Sequence, residues 1–178
     1  MLWPAPIPPE RFGQAPSFEL TDQTGNSISN PQFGDKLWIV DFIFTRCPDV
    51  CPILSTKMKH LQDKIQQESA PIKLVSITVD PRYDTPSILT EYAAQFGADD
   101  SIWKFLTGND GDIQSTIEGF QQAVERMESD DDVPNILHSQ RLVLVDAAGD
   151  VRGFYASDAE GLEQLWNDAT LLVKLGGD

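Results

Sequence analysis

Basic residues are scarce in this sequence. It has 13 lysines and arginines against 28 aspartates and glutamates, which gives a formal net charge of −15 over 178 residues. Nucleic acids and anionic lipids both favour proteins that are rich in Lys and Arg, so neither is expected as a partner. The acidic balance is compatible with a metal ion or a cationic partner, although most of these carboxylates are expected to form a solvated surface.

Long apolar runs are also lacking. No segment approaches the roughly 20 consecutive apolar residues that a membrane-spanning helix needs. Residues 1–16 are proline-rich and contain neither the basic nor the apolar region of a signal peptide. We therefore expect a linker or tail over 1–16 and one domain over 17–178. The character of the linker also leads us to expect an exported leader or membrane anchor before it in the natural protein.

The two cysteines, Cys47 and Cys51, directly follow the apolar run LWIVDFIF at residues 37–44. This run is short and rich in β-branched and aromatic residues, which predicts a strand buried on both faces. Pro48 suits the first position of a helix. Both thiols are thus predicted at a strand-to-helix junction, where the positive end of the helix dipole, together with Arg46, favours thiolates.

Two thiols four residues apart have several chemical uses. They can hold a soft metal ion, cycle between dithiol and disulfide, or serve a structural role as buried thiols or as a staple. The staple is disfavoured because a disulfide that closes so short a loop removes little entropy from the unfolded chain. The pair is therefore a candidate metal-binding or redox site.

The rest of the chain alternates between strand and helix patterns. Predicted strands are a hairpin of 17–20 and 27–29, single strands over 72–79 and 103–107, and a second hairpin of 141–145 and 151–155. Predicted helices run from the cysteines to Ile65, from an N-cap at Thr85 to Phe96, over 113–127, and onward from a capping box of Ser157 and Glu160. The strand–helix–strand unit predicts parallel pairing, so the chain is expected to form an α/β sandwich with a mixed sheet.

Three short motifs lie in this framework. They are CPDVCP at 47–52, VDPRYDTP at 79–86, and His138-Ser139 ahead of RLVLVDAAGDVRGFY. In this order they resemble the Sco/SenC family, whose members are thioredoxin-fold copper proteins that help metallate the binuclear copper centre of cytochrome c oxidase. The resemblance extends from about Phe18 to Tyr155. It implies a thioredoxin-like three-layer sandwich, with a mixed central sheet and an N-terminal β-hairpin.

The resemblance also implies a ligand set and a role. Copper, as Cu(I) or Cu(II), would be bound by Cys47, Cys51 and His138; thiolates select Cu(I), and imidazole stabilises copper in either state. The protein would be a bacterial periplasmic copper chaperone, membrane-anchored in full length, that supplies a copper-accepting subunit of cytochrome c oxidase or another copper protein. The family usually has an aspartate directly before the histidine, whereas this sequence has Leu137. Another group must then orient the imidazole, or the site binds copper less well.

Other polar residues near the cysteines are weighed on position alone. Asp80 and Asp84 follow the second strand of the parallel pair, and the ends of such strands lie at one edge of the sheet, so both are expected near the cysteine loop. A turn or helix-cap role for Asp84 is at least as well supported. Asp49 could tune the thiolates or face a partner. His60, on the polar side of the helix, is expected to be exposed rather than a ligand.

Alternative functions use the same residues. A thiol–disulfide oxidoreductase, reducing the cysteines of a copper acceptor or sensing redox state, is the second hypothesis. Thioredoxins have two residues between their cysteines, whereas this chain has three. They also have a proline opposite the pair, where this chain has Leu137-His138-Ser139. Both differences disfavour disulfide exchange as the sole role. A peroxiredoxin-type peroxidase needs an activated cysteine in a Thr-x-x-Cys arrangement. It is disfavoured because Thr45 lies only two residues before Cys47. A zinc site of two cysteines and one histidine is not excluded by the ligands alone.

Overall fold

The computed structural model describes residues 7–127 and 140–176, and for residues 121–127 it describes the backbone alone. Within these residues, eight strands form one mixed sheet, flanked by four α-helices and a short 3-10 helix over Asn30–Phe33. The strands are β1 Gly13–Gln14, β2 Glu19–Asp22, β3 Ser27–Ser29, β4 Leu37–Ile43, β5 Ile72–Thr78, β6 Trp103–Thr107, β7 Leu142–Val145 and β8 Asp150–Tyr155. The helices are α1 Val50–Glu68, α2 Pro86–Gln95, α3 Asp110–Met127 and α4 Ala159–Lys174.

Strand β4, which leads into the cysteines, lies at the centre of the sheet. The strand order is β1-β8-β7-β4-β5-β6-β2-β3, and all seven residues of β4 are buried. It pairs in parallel with β5, from Leu37 opposite Ile72 to Ile43 opposite Thr78, and antiparallel with β7. The predicted doubly buried strand and the predicted parallel pair are both confirmed.

Alternate residues of β4 face two separate apolar layers. Ile39 and Ile43 pack with side chains of α1, α2 and α4 on one face of the sheet. Val40 and Phe42 pack with side chains of α3 and of the β2–β3 hairpin on the other face. Because successive side chains of a strand point to opposite faces, one strand supports both layers. The result is the predicted three-layer sandwich with a mixed sheet.

The remaining predicted elements are confirmed with small shifts at their ends. The hairpins β2–β3 and β7–β8 both pair antiparallel. Helix α2 has Thr85 as its N-cap, whose hydroxyl accepts a hydrogen bond from the Ile88 N–H at 3.4 Å. Helix α3 begins at Asp110, about one turn earlier than predicted. The predicted acidic loop over 128–132 lies outside the described residues.

Helix α1 begins later than predicted. Asp49 is its N-cap residue, with a non-helical φ of −125°, so Pro48 precedes the helix instead of occupying its first position. Cys47 therefore lies in the loop before α1, whereas Cys51 lies in its first turn. The two thiols consequently have different backbone environments, although they are only four residues apart.

The predicted capping box at the start of α4 is wrong. The N-cap is Asp158, whose carboxylate accepts a hydrogen bond from the Gly161 N–H at 2.8 Å. Ser157 is buried one residue earlier, and its carbonyl oxygen accepts a hydrogen bond from Lys57 Nζ of α1. This tertiary contact places Ser157 before the cap, so Asp158 supplies the capping oxygen.

The segment before the β2–β3 hairpin is attached to the opposite edge of the sheet. Gly13 of β1 pairs with Val151 of β8. The buried Arg152 donates to the Pro9 carbonyl oxygen at 2.8 Å and pairs with Asp146 at 2.7 Å. The predicted tail thus contributes a strand to the sheet, while a domain boundary at residue 17 stays a prediction. Within the described ranges, no helix is both long enough and apolar enough to cross a bilayer.

Candidate metal and thiol site

The two cysteines lie side by side at the carboxyl end of β4. Both are free thiols. The Cys51 N–H donates a hydrogen bond to Cys47 Sγ, with 3.4 Å between nitrogen and sulfur. Cys47 is half-buried in the loop, whereas Cys51 is only 5% exposed. One sulfur is therefore accessible from solvent and the other lies behind it in the core.

This difference in burial separates the acidities of the two thiols. Burial raises the pKa of Cys47, but hydrogen bonds from the N–H groups of Cys51, Asp49 and Val50 and from the Cys51 side chain outweigh this effect, so the pKa lies below its ordinary value. Burial raises the pKa of Cys51 to about 12, although a hydrogen bond from the Phe44 backbone partly lowers it. The predicted preference for thiolate is therefore borne out for Cys47 and wrong for Cys51.

Asp84 connects the cysteine loop to the end of β5. Its carboxylate is fully buried and accepts hydrogen bonds from the Thr45 N–H at 3.1 Å, from the Thr45 hydroxyl and from the Thr78 hydroxyl. The expected proximity of Asp84 to the cysteine loop is confirmed. Its carboxylate crosslinks two loops, while Thr85 caps α2.

Arg46 is bound to the same neighbouring loop. Its guanidinium pairs with the Asp80 carboxylate and lies over the Tyr83 ring, with 4.3 Å from Cζ to the ring centroid. The hydrogen bond to Asp80 raises the pKa of Arg46 further above its ordinary value. The expected proximity of Asp80 is thus confirmed, and the pKa of Cys47 is lowered by hydrogen bonds from backbone N–H groups and from the Cys51 side chain.

Asp41 is a buried acid beneath the site that the sequence analysis missed. It is fully buried in β4 on the same face as Ile39 and Ile43, which pack against α1. One carboxylate oxygen accepts a hydrogen bond from the Ser76 hydroxyl, and the other has no hydrogen-bond partner among the described residues. Burial raises the pKa of Asp41 to about 7, and its charge contributes to the raised pKa of Cys51. The available signal was a single acid inside an otherwise apolar run.

The predicted third ligand cannot be placed beside the thiols. His138 and Leu137 lie within 128–139, outside the described residues, so the role of His138 stays a prediction. His60 is exposed on α1, as predicted. In the part of the chain that the structure describes, no group of three or more His, Cys, Asp and Glu is arranged to hold a metal ion.

The described site can bind a soft cation through two sulfurs, one of which is open to solvent. Thiolates prefer soft ions such as Cu(I), and an additional ligand from elsewhere in the chain would leave the site low-coordinate. The same two sulfurs can form a disulfide, because they already lie next to each other in the reduced state.

Comparisons with known sequences identify the family. The SCO1/SenC family model matches residues 8–172. An SCO2-like protein of Rickettsia felis is 37% identical over 136 residues, which cover 74% of this chain and 64% of that protein. The chain therefore spans slightly less than two thirds of that relative.

Solved structures agree with this match. A SCO1/SenC family lipoprotein of Bacillus anthracis superposes with a TM-score of 0.78 at 28% identity, covering 95% of this chain and 99% of that one. BsSco, described as a Sco family cytochrome c oxidase assembly protein with a disulfide switch, has a TM-score of 0.77 at 25% identity, covering 94% and 96%. Copper-bound ScoI of Arabidopsis thaliana has a TM-score of 0.69 at 25% identity, covering 92% and 99%. The thioredoxin-like fold is confirmed, and the chain belongs to the SCO1/SenC family.

Proposed function

We propose that this protein is a copper metallochaperone that delivers copper to the binuclear copper centre of cytochrome c oxidase. The observation that carries the proposal is the adjacent pair of reduced thiols, one half-buried and one buried, at the end of β4. Copper in the ScoI relative and oxidase assembly by BsSco support the same role. Sco family proteins bind copper and work in cytochrome c oxidase assembly, and the transfer step is our inference for this chain.

The proposed ligands are the sulfurs of Cys47 and Cys51 and the imidazole of His138. Both thiols must lose their protons to bind the metal, so loading releases protons and is favoured by higher pH. Cys47 loses its proton first because its pKa is lowered, and it is also the sulfur that solvent reaches. Cys51 follows only when the bound cation stabilises its thiolate, because its pKa is raised to about 12.

Transfer to the acceptor would occur by ligand exchange at the open side of the site. A ligand of the acceptor binds the copper ion beside Cys47, after which the bonds to this chain break one at a time. The two thiolates then take up protons again, and no covalent bond of the protein changes. The proposed place of this exchange is the periplasm, with the full-length protein anchored to a membrane, in line with the lipoprotein relative from Bacillus anthracis.

Copper transfer can be measured directly. The copper-loaded chain is mixed with a copper-free soluble domain of the oxidase subunit that carries the binuclear centre, and the copper content of each protein is determined after separation. We expect copper to appear in the acceptor with wild-type chain and not with Cys47→Ser or Cys51→Ser. Thr56→Ser, exposed on α1 outside the site, is the matched control. Wild-type chain that keeps all of its copper would contradict the proposal.

A second candidate function, thiol–disulfide exchange, is favoured by the asymmetry of the thiols. An accessible cysteine with a lowered pKa beside a buried cysteine with a raised pKa is the arrangement of an attacking and a resolving thiol. Attack of the Cys47 thiolate on a substrate disulfide would form a mixed disulfide. Attack by Cys51 would then release the reduced substrate and leave the Cys47–Cys51 disulfide, so two electrons pass from this chain to the substrate.

The two candidate functions respond differently to one substitution. His138→Ala removes a proposed copper ligand and no redox sulfur, so copper binding should weaken while reduction of a disulfide-containing acceptor domain continues. Reduction is followed by mass spectrometry of alkylated acceptor cysteines. If His138→Ala leaves copper binding intact and wild-type chain reduces the acceptor rapidly, exchange is the better account.

A further inference from the structure

We propose that the surface formed by Val50, Ile53 and Tyr83 beside Cys47 is the docking surface for the copper-accepting protein. We further propose that this partner presents an apolar side chain to the surface and a basic group to Asp49. The inference rests on the proposed copper transfer. It adds the place where the acceptor binds and the chemistry that it must present. These three apolar residues are called the docking surface.

Exposed apolar side chains are concentrated at this site. Among the described residues, five large hydrophobic side chains are exposed, and the other two are Ile7 and Leu175. Both of those lie at the ends of the described ranges. The other three flank the cysteine loop. Val50 donates its N–H to the Cys47 sulfur, Ile53, at 54% exposed, follows one turn later in α1, and the ring of Tyr83, at 43% exposed, lies against Arg46, which precedes Cys47. Single exposed hydrophobic residues are ordinary, but a group of them at a reactive site indicates an interaction surface.

On both sides of the cysteine loop, the docking surface is held by a helix or by side-chain contacts. Val50 and Ile53 are three residues apart in the first turns of α1, so they lie on the same side of a regular helix. Tyr83 is fixed by the Arg46 guanidinium over its ring, and Arg46 is fixed by Asp80. A surface that is already ordered loses little conformational entropy when a partner binds.

The charge at the docking surface favours a basic partner. Asp49 is exposed and makes no capping hydrogen bond, and within the described residues no ion pair engages its carboxylate. The one nearby cation of the loop, Arg46, is already paired with Asp80. The chain as a whole has a formal net charge of −15, so a basic partner is attracted from a distance and then oriented by Asp49.

The same charges disfavour a second copy of this chain as the occupant. A symmetric contact through the docking surface would bring two Asp49 carboxylates close to each other. It would also join two molecules that each have a formal net charge of −15. Like charges that face each other across an interface suppress association. A partner of opposite charge is therefore the occupant that the observations favour.

The test compares two variants of the docking surface with two matched controls. Ile53→Glu places a charge among the apolar side chains, and Asp49→Lys reverses the free carboxylate. The controls Leu175→Glu, at the end of α4, and Glu91→Lys, on α2, make the same kinds of charge change at exposed positions outside the docking surface. For each protein we measure copper stoichiometry, affinity for the copper-free acceptor domain by calorimetry, and the rate of copper transfer to that domain.

We expect Ile53→Glu and Asp49→Lys each to weaken acceptor binding and slow transfer by tenfold or more, with one copper per chain retained. The controls should stay within twofold of wild type, and higher salt should weaken wild-type binding but have less effect on Asp49→Lys.

The docking proposal is overturned if the two variants bind the acceptor as the controls do. It is also overturned if they lose copper stoichiometry, since the surface would then serve the metal site, or if wild-type chain dimerises through this surface. Wild-type chain that binds the acceptor but transfers no copper would instead refute the proposed function and leave the docking surface intact.

Discussion

Asp41 is the residue whose chemistry conflicts most with its surroundings. It is a carboxylic acid with no solvent exposure, in a strand that is otherwise apolar apart from this position, and one of its oxygens has no partner among the described residues. Burying an unpaired charge is costly, so the protonated form is favoured. The pKa of about 7 follows from that burial, although Ser76 donates a hydrogen bond to the carboxylate.

This raised pKa makes folding stability depend on pH. The folded chain holds the Asp41 proton up to about pH 7, whereas the unfolded chain releases it near 3.8. The folded state therefore binds more protons across that window, and stability falls as pH rises through it. One pKa unit corresponds to about 1.4 kcal/mol, so a contribution of a few kcal/mol is expected.

Asp41→Asn removes this titration and keeps the shape of the side chain. We expect the free energy of unfolding of the variant to exceed that of wild type at pH 8 by about 2 kcal/mol or more. At pH 4 the two proteins should be similar. Urea unfolding at both pH values measures the difference, with Asp49→Asn as an exposed control. Equal slopes of stability against pH in Asp41→Asn and wild type would show that Asp41 is not protonated in the folded protein.

At the scale of elements, the cysteine loop is held by the loop that follows β5. The carboxylate of Asp84 bonds Thr45 of one loop and Thr78 at the end of the other strand. A parallel strand pair brings its two carboxyl ends together, and this side chain fixes their separation. The position of Cys47 thus depends on Asp84, which lies 37 residues later in the sequence.

Asp84→Ala should lower both stability and the order of the cysteine loop. Loss of three hydrogen bonds to a buried carboxylate is expected to cost about 2–4 kcal/mol. The rate of Cys47 alkylation at pH 7 should change as well, because the loop that orients its N–H donors loosens. Asp110→Ala, at an exposed ion pair with Arg82, is the control and should change neither quantity appreciably. Unaltered alkylation in a destabilised Asp84→Ala would limit Asp84 to a structural role.

The elements themselves were largely predictable from local patterns. The runs that form β4, β5 and β8 are dense in β-branched and aromatic residues, and Thr85-Pro86 marks the start of α2 without ambiguity. The start of α4 was not, because Ser157 and Asp158 are both good caps and only the contact of Ser157 with Lys57 decides between them. Local sequence contains no information on that long-range contact.

At the scale of the whole molecule, the N-terminal segment completes the sheet edge. Arg152 is almost fully buried and joins Asp146 of one hairpin to the carbonyl oxygen of Pro9. The proline content of this segment predicted only a tail. Composition could not predict that two of its residues form an edge strand, because their pairing with β8 depends on tertiary contacts. The two cysteines of the site could likewise be predicted from the sequence. The role of Asp41 could not, because its burial results from the packing of helices against the assembled sheet.

Arg152→Ala should destabilise the fold strongly. It removes the partner of the buried Asp146 carboxylate, and breaking a buried ion pair typically costs about 3–5 kcal/mol. Arg82→Ala breaks an exposed ion pair and should cost less than about 1 kcal/mol. Urea unfolding of both variants gives the comparison. Similar small losses in the two variants would mean that the N-terminal segment is not anchored through Arg152.

The most direct test of the central claim is copper binding to the reduced protein. Stoichiometry and the sulfur-to-Cu(II) charge-transfer absorption are measured for wild type, His138→Ala and the control His60→Ala. We predict one copper per chain in wild type and in His60→Ala, with an absorption band that collapses in His138→Ala. Absence of tight copper from wild type, together with rapid exchange of a Cys47–Cys51 disulfide, would contradict the copper-chaperone account.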